Sequence, residues 1–359
     1  MPTFTNTRTL LGDAGALDAL VSHSLETFAD DIISEIGKYG FFHHDELKII
    51  YLPNVMRIGL CAFNSCTNLQ KVYLGLNQNA IASLYNNNCF TETGHCTILV
   101  PDDLVSVYRI TSPWTNHADY IYGANDATAP FWDETEIEDD VETIASYVNA
   151  GTAASRYNLG QYKTIDLGSE GQIRMQIVGK NMRELANSTQ TAQLEWAAMD
   201  LLKTAHRFNP VYEQGTDGTG SVGGYSKSEL RTYINNDIWA LVPPVWQGMI
   251  KETKITSCYY NASGAKVTDD VTTEKLRIPS YGEVVDSTWC ETTGVTYRFA
   301  MRQSNPATRI RKRSDGLQAY GYWLRSGAYR ANAYYISNNG AYDTVNATTA
   351  YYILLAFST

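Results

Sequence analysis

The chain has 359 residues, 44% of them hydrophobic, and a formal net charge of −10, which is ample apolar content for two or three packed domains and excludes a low-complexity disordered polymer. The charge is uneven: residues 1–122 carry 6 basic and 12 acidic groups, 123–142 carry 0 and 8, and 143–359 carry 22 and 18, so the last part is at +4 and the acidity lies before it. The basic run at residues 309–313 reads as a solvated loop and not as a nucleic-acid footprint, and no apolar run is long enough to span a bilayer. Nucleic acid and membrane are therefore not expected partners.

No basic leader followed by an apolar core opens the chain, so Sec export is not expected. Six cysteines are few for this length, and reduced, buried thiols are the default expectation. Cys258 and Cys290 form a disulfide only if their Cα atoms come within reach, which a sequence does not reveal.

Residues 1–35 read as a polar lead followed by a helical patch, with Leu17, Leu20, Val21, Leu25 and Phe28 near i, i+3, i+4 spacing. A repeat with an offset of 22 follows: Ile36/Ile58, Gly37/Gly59, Phe41/Phe63, His44/Cys66, Leu47/Leu69, Ile50/Val72 and Leu52/Leu74. Such a fixed period predicts stacked coils, each with a short strand (49–52, 71–74) and inward apolar residues that only neighbouring coils cover. A further coil at 81–90 is degenerate. His43 and His44 carry no zinc-type spacing, and the alignment of His44 with Cys66 makes it an inward repeat position.

Residues 123–142 turn acidic and lose periodicity around Pro130, Phe131 and Trp132, which predicts a linker or docking arm before a second domain at 143–359. Alternation predicts strands at 162–167 and 172–178. Leu194, Ala198, Leu201, Leu202 and Ala205 form an apolar stripe that predicts a helix over 191–207. The Gly-rich stretch 215–224 lacks the Lys-Ser/Thr ending of a phosphate loop and reads as a turn. Ser226 with Glu229 predicts a capping box, and Pro243-Pro244 resets the chain before a helical turn at 245–250.

Chemistry is sparse in this domain. His206 is its single histidine, Asp217, Asp237, Asp269, Asp270 and Asp286 stand in no recognisable acid–base spacing, and no Glu-Pro-Asn run suggests a calcium site. The expectation is a protein that is not an enzyme and uses no metal or cofactor. The C-terminal stretch 321–359 is more telling. From Leu324 to Thr359 it contains no Lys, Met, Trp, Gln or Glu, although these types fill 54 of the 359 positions. Tyr, Asn, Ser, Thr, Ala, Gly and Asp remain, the alphabet of paratopes in which rigid aromatics supply area and small polar groups supply adaptable hydrogen bonds. Polarity and parity point outward Tyr329, Arg330, Asn332, Tyr334, Ser337, Asn339, Tyr342, Asp343, Thr344, Asn346, Thr348 and Tyr351 as ligand-binding residues. Tyr335, Ile336, Ile353, Leu354 and Phe357 read as core or strand-pairing residues, and Trp323 and Arg325 as framework.

The repeats, together with Cys96-Thr97-Ile98-Leu99-Val100-Pro101 and Trp114, resemble BspA-like leucine-rich repeats, whose terminal segment closes the solenoid in this form. Gly223-Gly224-Tyr225 with Ser228-Glu229-Leu230-Arg231, the segment from Leu276 to Glu283, and Tyr322-Trp323-Leu324-Arg325-Ser326 resemble a domain family of gut bacteria and their phages on the C-type-lectin-like core shared with formylglycine-generating enzymes. The tail after Gly321 is similar to the variable region of diversity-generating retroelement proteins. There, templated adenine replacement acts mainly on AAC and AAT codons, and codons ending in C or T encode none of the five missing types. One departure is the ending Tyr352-Ile353-Leu354-Leu355-Ala356-Phe357, where the family has Gly-Val-Arg-Pro-Ala-Phe.

The resemblance implies an α+β protein, a short leucine-rich-repeat solenoid followed by a C-type-lectin-like domain. It implies a hypervariable receptor- or ligand-binding protein, a phage tail-associated adhesin whose partner is a protein or glycan receptor on a bacterial surface. The alternatives are a bacterial cell-surface adhesin or a formylglycine-generating-enzyme-like enzyme using Cys258 and Cys290. A homo-oligomer such as a trimer, or incorporation in a tail, fits by analogy, with localisation to the virion or the bacterial surface.

Overall fold

In the computed structural model the chain divides into two compact units, Met1–Trp132 and Asp133–Thr359. The structure describes residues 9–10, 26–93, 96–126, 129, 132–210, 224–261, 263–285, 306–316, 318–328 and 332–359.

The first unit carries two parallel sheets. One runs Thr27–Ala29, Ile49–Leu52, Lys71–Leu74, Thr97–Val100 and Ile121–Gly123 in hydrogen-bonding order; the other runs Thr9–Leu10, Glu35–Ile36, Arg57–Ile58 and Ser83–Leu84. Thr27 pairs with Ile49, Ile49 with Lys71 and Glu35 with Arg57, each a step of 22 residues. The next step is four residues longer, Lys71 to Thr97 and Arg57 to Ser83. That insertion hides the coil at 81–90 from a search at one fixed offset.

Along these strands alternate side chains turn inward, so that Ile50, Leu52, Val72 and Leu74 are fully buried. Between the sheets Phe41 stacks on Phe63 at 5.4 Å, and Phe63 on Phe90 at 4.9 Å. Three rings in register give every turn the same large filler, and truncating a buried Phe costs about 3–5 kcal/mol. Left-handed backbone recurs at the same offset, at Tyr39 and Cys61 and at His43 and Ser65. His44 is 2% exposed and Cys66 is buried, with its Sγ donating to Phe41 O at 2.7 Å. Trp114 closes the far end, its Nε1 donating to Ala82 O at 2.7 Å.

Two readings of the N-terminal part change. Phe28 lies in the strand Thr27–Ala29, not on a helix, while Leu17, Leu20, Val21 and Leu25 lie outside the described residues. The acidic stretch is not all linker: Ile137 is 3% exposed and its amide donates to Tyr162 O, and Asp140 caps the helix Val141–Asn149 through Thr143 N at 2.8 Å.

The second unit is built on a five-stranded antiparallel sheet in the order Tyr162–Asp166, Gln172–Glu184, Thr191–Ala198, Ala356–Ser358 and Leu276–Arg277. The predicted helix over 191–207 is therefore wrong. Thr191–Ala198 is a central strand, followed by the short strands Asp200–Leu201 and His206–Arg207. It is covered on both faces, with Leu194, Trp196, Ala197 and Ala198 all buried, and an apolar run of that kind matches a helical stripe as well as a strand. A hairpin of Thr253–Tyr260 and Lys266–Glu274 and a three-stranded sheet of Tyr322–Gly327, Asn332–Ile336 and Tyr342–Asn346 complete the frame.

Local signals were displaced elsewhere too. Ser228, not Ser226, caps the helix Glu229–Tyr233, its Oγ accepting from Arg231 N at 3.0 Å. Pro244 begins the helix Pro244–Met249 as the diproline suggests. The basic run is no solvated loop: Arg309 is 3% exposed and its Nε donates to Gly340 O at 2.8 Å. The four cysteines of the first unit are free thiols, whereas Cys258 is disulfide-bonded, against the default of reduced thiols; Cys290 lies outside the described residues.

Candidate functional site

The sheet that carries the C-terminal stretch is anchored by buried charges. Arg325, 2% exposed, makes a bidentate pair with Glu283, Nη1 to Oε2 at 2.6 Å and Nη2 to Oε1 at 2.7 Å. The same guanidinium donates to Ile278 O at 3.0 Å and Thr256 O at 3.1 Å, so one side chain ties the strand Tyr322–Gly327 to three other segments. Arg183 Nη2 bridges Glu283 at 2.8 Å and Glu195 at 2.9 Å, and Arg277 pairs with Glu195 and with Ser358 Oγ. Glu283 also sits in a reciprocal capping box, accepting from Ser280 N at 2.8 Å while its own amide donates to Ser280 Oγ at 3.1 Å.

Burial alone pushes both carboxyls toward the neutral form. The guanidinia win: Arg183 and Arg277 hold Glu195 down at about 2, and Arg325 and Arg183 hold Glu283 well below the usual carboxylate range. Both acids stay ionised in the core, and paired buried charges of this kind are costly to break singly.

On that frame hang the strands Asn332–Ile336 and Tyr342–Asn346. Tyr322 pairs with Ile336 and Trp323 with Tyr335; next, Asn332 faces Asn346, Tyr334 faces Thr344 and Tyr335 faces Asp343. Directly opposed residues share a face. Asn332, Tyr334, Tyr342, Thr344 and Asn346 thus lie on one side of the sheet, with Tyr335 and Asp343 on the other.

The predicted binding residues are accordingly brought together only in part. Tyr342 is 49% exposed and meets the ring of Tyr281 edge-on at 5.1 Å. Tyr334, expected to point outward, is 8% exposed, because Tyr281 of the helix Tyr281–Val285 packs on it at 4.6 Å. Its neighbour Tyr335, read as core or strand-pairing, is half-buried, pairs in the sheet with Trp323 and Asp343, and packs on Tyr351 at 4.5 Å. Burial first, then the hydrogen bond with Tyr335, pushes the Tyr351 hydroxyl up to about 12, so it remains a neutral phenol at physiological pH.

Ser337 and Asn339 spend their polar atoms on the turn. Ser337 Oγ donates to Asn339 Oδ1 at 2.5 Å, and that oxygen also accepts from Ala341 N at 3.1 Å. Gly340 in this turn has φ +81°, and any Cβ there collides with the carbonyl of Pro306. Asn346 Oδ1 likewise accepts from Thr348 N and Thr348 Oγ1, both at 2.9 Å, and Asp343 from Thr344 N at 2.7 Å. Tyr329 and Arg330 lie outside the described residues.

The framework residues behave as their sequence context suggests: Trp323 is 0% exposed, and its Nε1 donates to His206 O at 2.8 Å. His206 sits on a strand, not on a helix face, and stacks on Tyr233 at 4.2 Å. Among the described residues no three His, Cys, Asp or Glu side chains group to hold a metal ion. Asp217 and Asp286 lie outside the described residues.

Tyr281 is the contact that sequence reasoning missed. The segment from Leu276 to Glu283 is read only as part of a resemblance, whereas its Ser280-x-x-Glu283 spacing is a capping-box signal that places Tyr281 in the first turn of a helix. The profile of a Domain of unknown function (DUF6273) matches residues 202–357, which includes Arg277, Glu283, Arg325 and the whole three-stranded sheet. No curated protein and no solved structure matches the chain.

Proposed function

We propose that this chain is a non-catalytic receptor-binding protein in which a short leucine-rich-repeat solenoid presents a C-type-lectin-like domain, and that residues 327–351 carry its specificity. The reading places it as a hypervariable, phage tail-associated adhesin diversified by a retroelement, with a bacterial surface adhesin as the competing setting. The observation that carries it is the hairpin of Asn332–Ile336 and Tyr342–Asn346, in which Tyr, Asn, Thr and Asp side chains stand on a backbone fixed by the Glu283–Arg325 pair. Side chains held on a fixed backbone lose little freedom on binding, so a few aromatics dominate the affinity.

Tyr342, half exposed at the rim, is the principal anchor. Binding of the purified chain to intact bacterial cells tests this. Tyr342→Ala is expected to weaken binding by about 1–3 kcal/mol with an unchanged melting temperature. Undiminished binding by that variant overturns the assignment. A reverse-transcriptase gene with a near-copy of the 3′ end beside this gene is required by the retroelement reading, and neighbouring tail genes separate the phage setting from the cell-surface one.

A further inference from the structure

We infer that the second unit holds a buried monovalent anion, chloride in ordinary buffers, in the polar centre between Arg277 and Tyr225. Arg277 is 0% exposed, yet among the described residues only its Nη2 is engaged, with Glu195 and with Ser358 Oγ. Its Nε and Nη1 are buried without a hydrogen-bond partner, and so are the Tyr225 hydroxyl and Thr253 Oγ1. Buried polar groups are almost always satisfied, by protein, water or ion, so several orphans in one neighbourhood point to a guest.

Three segments bring these groups together. Thr253 pairs across its hairpin with Glu274, Arg277 follows three residues later in the chain, and the turn Tyr225–Lys227 packs against both strands of that hairpin. The Tyr225 hydroxyl lies within electrostatic reach of Glu274, Arg325, Arg231 and Arg277. Burial pushes that hydroxyl up, so it stays protonated and able to donate.

The chemistry of the orphans selects the guest. Guanidinium nitrogens only donate, and neither hydroxyl accepts from them, so the free N–H groups of Arg277 have no acceptor while both hydroxyls can rotate to donate beside them. Every nearby carboxylate is already paired: Glu195 with Arg183 and Arg277, Glu283 with Arg183 and Arg325, and Glu274 with Arg231 and Asn235. Arg183, Arg277 and Arg325 thus face only two carboxylates, Glu195 and Glu283, while Arg231 answers both Glu274 and Asp270. Water would satisfy the hydrogen bonds and leave the surplus positive charge, a cation would add to it, and a halide answers both. The other orphans of the hairpin, Ser257, Thr272 and Asp270, lie further along its strands; Asp270 brings an acceptor, which separates that end from the anion's place.

The test is the melting of the second unit at constant ionic strength, with chloride or bromide exchanged for gluconate, in the full chain and in Tyr225→Phe. Above saturation, the transition is expected to rise by about 3–5 °C for each tenfold rise in halide, following mass action on the folded state. Gluconate should give no such rise, and Tyr225→Phe should lose most of the halide increment. Crystals grown in bromide should show an anomalous peak in contact with Arg277 Nε or Nη1. Equal midpoints in halide and gluconate, an increment unchanged in Tyr225→Phe, or water alone beside Arg277 would each overturn the inference.

Discussion

Replacing Glu283 by Gln removes one charge and almost no volume, so its effect isolates the electrostatics of the buried frame. In the native chain Glu283 accepts from Arg325 at 2.6 and 2.7 Å, from Arg183 at 2.8 Å and from Ser280 N at 2.8 Å. A Gln oxygen retains part of these bonds, but its amide group turns two donors toward guanidinia that only donate. Arg325 then has no carboxylate partner, and Arg183 keeps only Glu195. Removing one partner of a buried pair costs about 3–5 kcal/mol, because the other charge stays buried.

The chain has two units, so a global midpoint mixes two events. Hydrogen exchange of the amides in Gln172–Glu184 and Thr191–Ala198 reads the second unit alone. Their protection in Glu283→Gln should fall by about 3–5 kcal/mol in opening free energy. The double replacement of Glu283 by Leu and Arg325 by Met should recover part of that loss, but not all, since the carbonyls of Thr256 and Ile278 lose their donor. A loss under about 1 kcal/mol for Glu283→Gln would refute the claim that this pair anchors the sheet.

Acid should unfold the second unit in a defined window. Glu195 is held near 2, below its value in an unfolded chain, so its contribution is complete above about pH 4.5 and is lost as pH falls toward 2. The depression is worth roughly 3 kcal/mol at neutral pH, and Glu283 adds in the same direction; a unit-two transition flat from pH 5 to 2 would contradict this. Tyr334→Ala should lower the stability of the second unit by about 3 kcal/mol or more, since its ring is packed on Tyr281, whereas Tyr342→Ala should hardly change it. Thermal melts of the two variants check the contrast, which fails if they melt alike. Gly340→Ala should cost at least about 1–2 kcal/mol from its left-handed backbone alone, and more from the clash with Pro306, measurable by the same melts.

How much of this was legible in the sequence follows from the range over which each interaction acts. The 22-residue step was visible because Phe41 and Phe63 recur at that separation, and it faded because Phe90 follows Phe63 at 27 residues, an insertion that broke the period without breaking the stack. Trp323 and Arg325 were legible as framework because a large indole and a multi-donor guanidinium open a stretch otherwise built of small polar and Tyr residues. The partners of Arg325 did not, since Glu283, Thr256 and Ile278 are brought to it from elsewhere in the chain. The burial of Tyr334 is hidden for a similar reason: alternation fixes which residues share a face, but only the distant Tyr281 decides which face is covered. The strand Thr191–Ala198 carries a helix-like apolar stripe because both its faces are buried, which erases the period of two.

Sequencing the 3′ end of this gene across related isolates tests the proposal of a diversified binding face most directly. The expected result is variation at adenine-templated codons confined to 327–351, sparing Trp323, Arg325, Gly340 and the closing strand Ala356–Ser358. A uniform 3′ end, or substitutions scattered evenly through residues 143–359, would contradict it.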